Sequence, residues 1–320
     1  MSTNNDNNSF TINSSLKIDH VHLRVTDLKE SAKFYQSILG FRILKKDPAT
    51  KTAFLATFPV DNPEEKEKVS PLLVLTQLDN EYSSYHKSIK KEAGLYHFAI
   101  LLPEREYLAA FLRHIKENLN PVFYEGMADH AVSESIYIHD PDHIGIEVYR
   151  DRSPSEWIWN DNKVHMITEP LDMADLLTRH AIKTWEEMPL STTIGHVHLH
   201  VSNLFRARRF YNGVLGLYHT ASYPGAYFFA ANRYHHHVAT NIWNGTNILP
   251  ANNDEQRGPG LDHYAIALPN NDEEITKLRN NFANWGIGID DKMAETDELH
   301  HDTTFYVYDP DGIKIQLLFS

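Results

Sequence analysis

The chain of 320 residues contains no cysteine. Disulfides, thiolate metal sites, iron–sulfur clusters and a cysteine nucleophile are therefore excluded, and any metal must be held by nitrogen and oxygen ligands. Long hydrophobic runs are missing too, since no apolar segment approaches the roughly 18–20 residues that a membrane-spanning helix needs. We therefore expect no membrane partner.

Positive charge is scarce as well. The formal net charge is −13, with 30 Lys and Arg against 43 Asp and Glu. Such a chain is not attracted to phosphates, so we expect no nucleic-acid partner. The polar stretch over residues 2–15 lacks the apolar segment of a secretory signal, which favours a cytoplasmic protein. A hydrophobic fraction of 42% is typical of a globular chain, and the length suggests two domains.

What the chain has in abundance is histidine, with 20 residues in clusters. Comparing the sequence with itself reveals two kinds of repeated segment. Residues 18–25 return as residues 194–201, and residues 94–103 return as residues 260–269. The chain therefore consists of four modules, in which the two kinds alternate.

Each module has the same pattern of predicted elements. A strand of alternating polar and apolar residues comes first, and in the first module it places His20, His22 and Arg24 on one face. A helix follows, with Asp27 as its predicted N-cap and Gly40 as its stop. Short strands and turns complete a βαβββ module. The predicted organisation is a disordered tail over 1–16, a first pair of modules over 17–150, a connecting segment over 151–193 and a second pair over 194–320.

These modules resemble the vicinal oxygen chelate superfamily. The resemblance is carried by the Asp-His or Gly-His openings, the Phe-Tyr helices that end in Leu-Gly, and the Asp-Pro-Asp turns that close the modules. It implies an α+β fold in which four βαβββ modules pair into two curled-sheet barrels, each a cup around one divalent metal. Four modules, abundant histidine and one closing Glu are similar to type I extradiol dioxygenases of the catechol 2,3-dioxygenase kind. Residues 234–238 and 129–134 are similar to those of Bacillus-type catechol 2,3-dioxygenases.

The resemblance also implies a metal site. Two His and one carboxylate form a facial triad that suits Fe(II), with Mn(II) as the alternative. The second module supplies His97 and Glu147. The third ligand is His196 if modules two and three share a cup, or His20 if modules one and two do. We favour His196, because the family also needs an acid–base histidine, and only the third module offers one, in its run over 235–237.

The fourth module differs from the second at one ligand position. It has His263, but Gln316 stands where the second module has its glutamate. A neutral amide is a poorer ligand for a hard divalent ion and cannot balance its charge. The sequence therefore predicts that this cup is degenerate.

The remaining site residues follow from the same resemblance. It implies His236 as general base and then acid, with strand alternation turning His235 and His237 to the opposite face. His130 and Tyr137 are expected to act around the substrate. The predicted substrate-binding residues are His198, Asn241 and Trp243.

The function implied is extradiol cleavage of catechol or a substituted catechol with O2, giving a 2-hydroxymuconic semialdehyde type of product in aromatic catabolism. A homo-oligomer is expected by analogy. Two other classes stay open, because a fold does not fix a function. One is a metal-dependent isomerase or lyase of the glyoxalase kind, and the other is a non-catalytic protein that binds small molecules.

Overall fold

The structure, a computed structural model, describes residues 10–58, 69–79, 91–178, 184–246, 248–251, 258–291 and 304–320. These residues form five α-helices, α1 (Leu28–Ser37), α2 (Arg105–Asn118), α3 (Met173–Thr178), α4 (Leu204–Arg208) and α5 (Asp272–Trp285), and a π-helical turn, Arg209–Val214, continues α4. They also form seventeen strands: β1 (Lys17–Val25), β2 (Arg42–Asp47), β3 (Thr52–Ala56), β4 (Leu73–Gln77), β5 (Gly94–Leu101), β6 (Tyr124–Asp129), β7 (Ser133–His139), β8 (Gly145–Asp151), β9 (Trp159–Asn160), β10 (Lys163–Val164), β11 (Thr193–His200), β12 (Tyr218–Tyr223), β13 (Ala226–Ala230), β14 (Val238–Asn241), β15 (Gly260–Leu268), β16 (Thr304–Tyr308) and β17 (Lys314–Phe319).

Four βαβββ modules are built in the same way. The first strand of each pairs in parallel with its last strand, as β1 does with β4, β5 with β8, β11 with β14 and β15 with β17. Antiparallel strands fill out the first three modules. In the fourth module, β16 is antiparallel to β17, and an isolated antiparallel bridge joins Asp290 to Tyr306 of β16. Residues 292–303 of this module lie outside the described part. The predicted α+β class and its modules are confirmed.

The modules pair across the chain rather than in order. Strand β5 of the second module is antiparallel to β11 of the third, and β1 of the first is antiparallel to β15 of the fourth. We call the unit of modules two and three cup A, and that of modules one and four cup B. Strands β1 and β11 join the cups through Ile18 and Ile194. Fifteen strands thus form one continuous sheet, and each half of the chain contributes to both cups.

Local sequence signals account for the ends of the helices. The Asp27 side chain accepts hydrogen bonds from the backbone N–H groups of Lys29 and Glu30, which caps α1. Gly40 has a φ of 80°, a conformation that glycine adopts at little cost, and the chain turns there into β2. The apolar faces of the strands and helices bury one large core between the layers.

Two segments outside the modules pack against them. The tail predicted to be disordered differs in its described part, because Ile12 and Leu16 are buried in the core; residues 1–9 lie outside the described part. The connecting segment, predicted over 151–193, forms β9, β10 and α3 in its described residues. A bridge between Asp129 and Glu169 docks it against cup A.

The described residues contain no helix that is both long enough and apolar enough to cross a membrane.

Candidate metal centre

Three side chains from three adjacent strands of cup A meet at one point. His97 lies on β5, Glu147 on β8 and His196 on β11. Because β5 pairs with both other strands, their side chains on the inner face converge. Glu147 Oε2 lies 3.0 Å from His97 Nε2 and 3.1 Å from His196 Nε2. The structure therefore brings together the triad that the sequence favoured, and it does so by crossed pairing.

The cluster is buried, at 6%, 3% and 2% exposure for His97, Glu147 and His196. Burial opposes ionisation of Glu147, but His196 and His97 outweigh it and hold the pKa of that carboxyl well below its usual range. Burial also lowers the pKa of His196 to about 4, although Glu147 opposes this shift. A carboxylate and a neutral imidazole are the protonation states that a metal needs.

The geometry fits a divalent metal. Two ligands about 2.1 Å from a metal and at right angles lie about 3.0 Å apart, close to the two separations at Glu147 Oε2. Ser135 Oγ donates to the other carboxylate oxygen, Oε1, at 2.6 Å, which fixes the orientation of the ligand. Within the described part of the chain, His196 Nδ1 has no hydrogen-bond partner, so this histidine lacks the outer contact that usually orients a metal-bound imidazole. Among the described residues, His97, Glu147 and His196 form a fully buried group with metal-ligand spacing.

A cavity of about 350 Å³ opens directly onto this triad. Its walls carry the aromatic rings of Tyr96, Phe228 and Trp243, which suit a flat aromatic ligand. The connecting segment supplies another wall through residues 166–168. The segment that the sequence showed only as a connection is therefore part of the pocket.

Tyr137 and His130, both predicted site residues, line the cavity as a hydrogen-bonded pair. His130 Nδ1 lies 2.7 Å from the carbonyl oxygen of Ile167, so Nδ1 carries the proton and donates it. His130 Nε2 then accepts from the Tyr137 hydroxyl at 2.7 Å. Burial, with the nearby Glu147 carboxylate, raises the pKa of Tyr137 well above its usual value, so the phenol keeps its proton. The pair can supply or hold a proton beside the triad.

His236 lies against His196 of the triad, with ring centroids 4.1 Å apart, and it lines the cavity. The expected strand alternation does not apply, because residues 235–237 precede β14 and are not part of it. His237 instead accepts from the backbone N–H of Ala231 at 3.3 Å. All three histidines of the run are buried, and His236 is the one that reaches the cavity.

A chain of hydrogen bonds fixes the tautomer of His236. Asp151 Oδ1 accepts from His235 Nε2 at 2.8 Å, and a neutral His235 then offers a lone pair at Nδ1. His236 Nδ1 lies 2.8 Å from this atom and donates to it. The lone pair of His236 is consequently on Nε2. Tyr234 donates to the other oxygen of Asp151 at 2.9 Å and holds the carboxylate in place.

The predicted substrate-binding residues separate into two groups. His198 and Trp243 line the cavity. Asn241 differs from the prediction, because it is fully buried and its Oδ1 accepts from the backbone N–H of Trp243 at 3.1 Å and faces His200 Nδ1 at 2.7 Å. It supports the wall of the cavity and does not form it. The cause is its place at the end of β14, where Asn241 pairs with His200 of β11 and its Oδ1 faces that histidine.

The alternative ligand His20 lies in cup B, together with His263 and Gln316. The rings of His20 and His263 are 5.6 Å apart, and Gln316 Oε1 lies 3.2 Å from His263 Nε2. None of the three lines the cavity of cup A. His20 is therefore not part of the His97 and Glu147 cluster.

Sequence reasoning missed several residues of the site. Ser135 and Asp151 orient other residues and have no motif of their own. Tyr96 could have been suspected from its place in the sequence beside His97. The wall over residues 166–168 arises from tertiary docking, for which the sequence carries no periodic signal.

The chain is similar to known proteins along most of its length. The model of the glyoxalase/bleomycin resistance protein/dioxygenase superfamily matches residues 17–148 and 193–317. The chain is 35% identical over 284 residues to a catechol-2,3-dioxygenase of Bacillus subtilis (strain 168), covering 88% of this chain and 92% of the relative. It is 25% identical over 146 residues to a lactoylglutathione lyase of Pseudomonas putida, covering 41% of this chain and 82% of that protein.

Solved structures show the same fold at low sequence identity. Glyoxalase I from Zea mays aligns with a TM-score of 0.53 and 18% identity, over 95% of this chain and 92% of that chain. The cppA protein from Streptococcus pneumoniae TIGR4 aligns with a TM-score of 0.56 and 10% identity, over 96% of this chain and all (100%) of that chain. Two superfamily matches that together span most of the sequence, and a relative similar over nearly its whole length, place this chain in the glyoxalase/bleomycin resistance protein/dioxygenase superfamily.

Proposed function

We propose that the protein is an extradiol dioxygenase that opens the ring of catechol or a substituted catechol with O2, giving a muconic semialdehyde, and that Fe(II) is its metal. The observation that carries the proposal is the buried triad of His97, Glu147 and His196 at the floor of an aromatic-walled cavity. The 35% identity to a catechol-2,3-dioxygenase supports it.

His97, Glu147 and His196 would hold the metal, which when bound would supply the redox chemistry with O2 and attract the oxygens of the diol. Tyr96, Phe228 and Trp243 would hold the ring and exclude water. Without a ligand, the Tyr137 hydroxyl donates its one proton to His130 Nε2. With the diol bound, this hydroxyl would turn to donate to an anionic diol oxygen, and His130 Nε2 would then be able to accept a proton.

His236 would carry the proton transfers. Its Nε2 lone pair would take a proton from the diol and later return it to the opening ring. Burial, with the neighbouring His196 and His235, lowers the pKa of His236 well below its usual value, so the ring is neutral and its lone pair is available before the diol arrives. Asp151 and His235 act through His236, since they fix which of its nitrogens is the base. They are positioning residues in this scheme.

The two alternative functions are less well supported. An isomerase of the glyoxalase kind would use a second carboxylate or a glutamine as ligand, but Gln316 lies in cup B against His263. The similarity to a lactoylglutathione lyase covers 41% of the chain. A non-catalytic binding protein would have no use for a buried metal triad.

The test is anaerobic reconstitution with Fe(II), followed by catechol and O2 with the visible absorbance recorded. Wild type should form a yellow semialdehyde, and His196→Ala should not. His22→Ala is the matched control, because this histidine faces cup B, 5.0 Å from His263, and should leave the colour unchanged. Colour that survives His196→Ala but disappears in His20→Ala would move the site to the other cup and refute the proposal.

A further inference from the structure

Cup B repeats the geometry of the metal centre. The His20 and His263 rings are 5.6 Å apart, the same separation as that of His97 and His196. Gln316 Oε1 lies 3.2 Å from His263 Nε2, compared with 3.0 Å for the corresponding pair of cup A. The aromatic neighbour is repeated too, since the Tyr306 ring lies 5.5 Å from His263, against 5.7 Å for Tyr137 and His97. Cup B therefore keeps the arrangement of cup A, with Gln316 in the place of Glu147.

Both histidines of cup B also have a feature that is typical of metal ligands. His20 Nδ1 lies 2.8 Å from the Asp19 carboxylate, and His263 Nδ1 lies 2.7 Å from the Asp262 carboxylate. A carboxylate at Nδ1 places the proton there, so that Nε2 is the coordinating atom, and it raises the basicity of the ring. Gln316 is fully buried, and His20 and His263 are 1% and 6% exposed.

We propose that cup B binds a second divalent cation through His20, His263 and Gln316. The ligand set of two imidazoles and one amide oxygen suits a borderline ion such as Zn(II) or Ni(II) better than Mg(II) or Ca(II), which prefer carboxylates. The ion is structural. It joins β1, β15 and β17, which come from the first and fourth modules. This inference goes beyond the proposed function and holds whichever reaction cup A performs.

A different ligand set in the same cup is disfavoured by its charges. His22, Asp262 and His263 also lie within metal-ligand distance of one another. Asp262, however, already binds Lys314 Nζ at 2.5 Å and lies 3.5 Å from an Arg24 nitrogen. These cations occupy the carboxylate oxygens and would repel a metal bound there. His22 Nε2 is engaged by the Thr76 hydroxyl at 2.8 Å.

In the described part of cup B, the proposed ligands lie apart from the neighbouring cavity. The cavity beside cup B, about 340 Å³ and polar, is lined by Arg24, Asp262 and Lys314, and not by any of the three proposed ligands. His20, His263 and Gln316 are themselves buried, so a cation that they hold would cross-link the three strands that carry them. The proposed role is therefore stabilisation.

The proposal is tested by counting ions. Metal-free protein is loaded with Zn(II), desalted and analysed for zinc per chain by elemental analysis. Wild type should retain two ions, His263→Ala one and His196→Ala one. Gln316→Met, a substitution of similar size at a buried position, should also retain one. His22→Ala is the control inside cup B and should retain two.

Thermal unfolding separates a structural ion from a bound contaminant. In His196→Ala only cup B can be filled, so Zn(II) should raise the Tm of this variant but not that of a His196→Ala/His263→Ala double variant. One ion in wild type that disappears in His196→Ala and persists in His263→Ala would overturn the proposal. Loss of the second ion in His22→Ala would overturn the ligand set. Neither result would affect the dioxygenase proposal, which concerns cup A.

Discussion

Glu147 is the one carboxylate among the three proposed metal ligands of cup A, and its charge is maintained against burial. His196 and His97 keep the pKa of its carboxyl low. The low exposure of the site means that this charge is little screened by water, so that it contributes strongly to the attraction of a cation. The carboxylate also receives the Ser135 hydrogen bond, so its position is fixed before a metal arrives.

Glu147→Gln should therefore reduce metal affinity by more than the ~10–100-fold that follows loss of an outer hydrogen-bond partner. The amide keeps the shape of the side chain but loses its charge and one acceptor oxygen. Competition of the protein with a chromophoric chelator for Fe(II) measures the change. Glu125→Gln removes a carboxylate from the wall of the same cavity and should alter affinity little. Equal losses in the two variants would contradict a specific role for Glu147.

A second residue-scale prediction concerns Asp151, which contacts no substrate in the proposed scheme. Asp151→Ala frees His235 to take the other tautomer, so His236 Nε2 is no longer held as the base. We expect kcat to fall by about 10–100-fold while the Fe(II) content stays at the wild-type value. Asp79→Ala removes an exposed aspartate that pairs with Lys51 and serves as the control. A parallel loss of iron would show that Asp151 supports the metal and not the proton transfer.

At the scale of elements, two corresponding turns carry buried aspartates. Asp140 Oδ2 accepts from the Tyr35 hydroxyl at 2.9 Å, and Asp309 Oδ2 accepts from the Tyr211 hydroxyl at 3.0 Å. Each aspartate also accepts two backbone N–H groups of its own turn through Oδ1. In the second and fourth modules, these bonds hold the turn between the last two strands against the helical segment of the module that precedes it in the chain.

Burial raises the pKa of Asp140 to about 6 and that of Asp309 to about 7, despite the hydrogen bonds that they accept. Each aspartate therefore binds its proton more tightly in the folded protein than in the unfolded chain. The stabilisation is fully present below about pH 4 and is lost as the pH rises through these values.

We expect the free energy of unfolding of the wild type to fall between pH 5 and pH 8 more steeply than that of Asp309→Asn. Asparagine keeps the acceptor for the two backbone N–H groups but cannot ionise. One titrating group accounts for at most ~1.4 kcal/mol per pH unit. Urea unfolding at several pH values measures the slope, and Asp291→Asn, an exposed position, should match the wild type. Identical slopes in wild type and Asp309→Asn would contradict a raised pKa.

The elements themselves were largely predictable. Period-two strands and internal repetition indicated all four modules, and the predicted cap at Asp27 and stop at Gly40 are confirmed. These signals are local, because a cap or a turn depends on a few neighbouring residues. The run at 235–237 was predicted on a strand and instead lies before β14. Its position is set by Asp151 on β8, a contact that no local pattern encodes.

The part of the candidate site that could be predicted is the part that depends on residue type, because histidine and glutamate are typical metal ligands. His97, Glu147 and His196 converge as favoured, and their roles stay predictions until metal is measured. The supporting contacts were not predictable, since Ser135, Asn241 and the wall over residues 166–168 acquire meaning only when distant segments pack together. The choice between the two partners of His97 needed the family pattern, because the spacing alone allowed both.

At the scale of the whole molecule, the N-terminal segment fastens modules three and four together. The Ile12 N–H donates to the Gly216 carbonyl at 3.2 Å. Asn13 Nδ2 donates to Glu274 on α5 at 2.6 Å. The Ile12 side chain is 3% exposed, so the segment is held by apolar packing as well as by hydrogen bonds.

Ile12→Ala should consequently lower the free energy of unfolding by about 2–5 kcal/mol, the usual cost of truncating a buried isoleucine. Thr11→Ala, at the exposed neighbouring position, should stay within about 0.5 kcal/mol of the wild type. Chemical denaturation of both variants gives the comparison. A stability equal to that of wild type in Ile12→Ala would mean that the segment is not part of the cooperative unit.

The crossed pairing of the modules has a consequence for how the chain can be divided. Each half contributes one module to cup A and one to cup B, so a half expressed alone contains no complete cup and exposes the edges of β5 and β1 that its missing partners would cover. A break within the connecting segment would leave the two fragments interleaved, joined by both cup interfaces. The two halves of the chain therefore depend on each other as the subunits of an obligate heterodimer do. A change at the module interface in one half must be accommodated by the facing module of the other half.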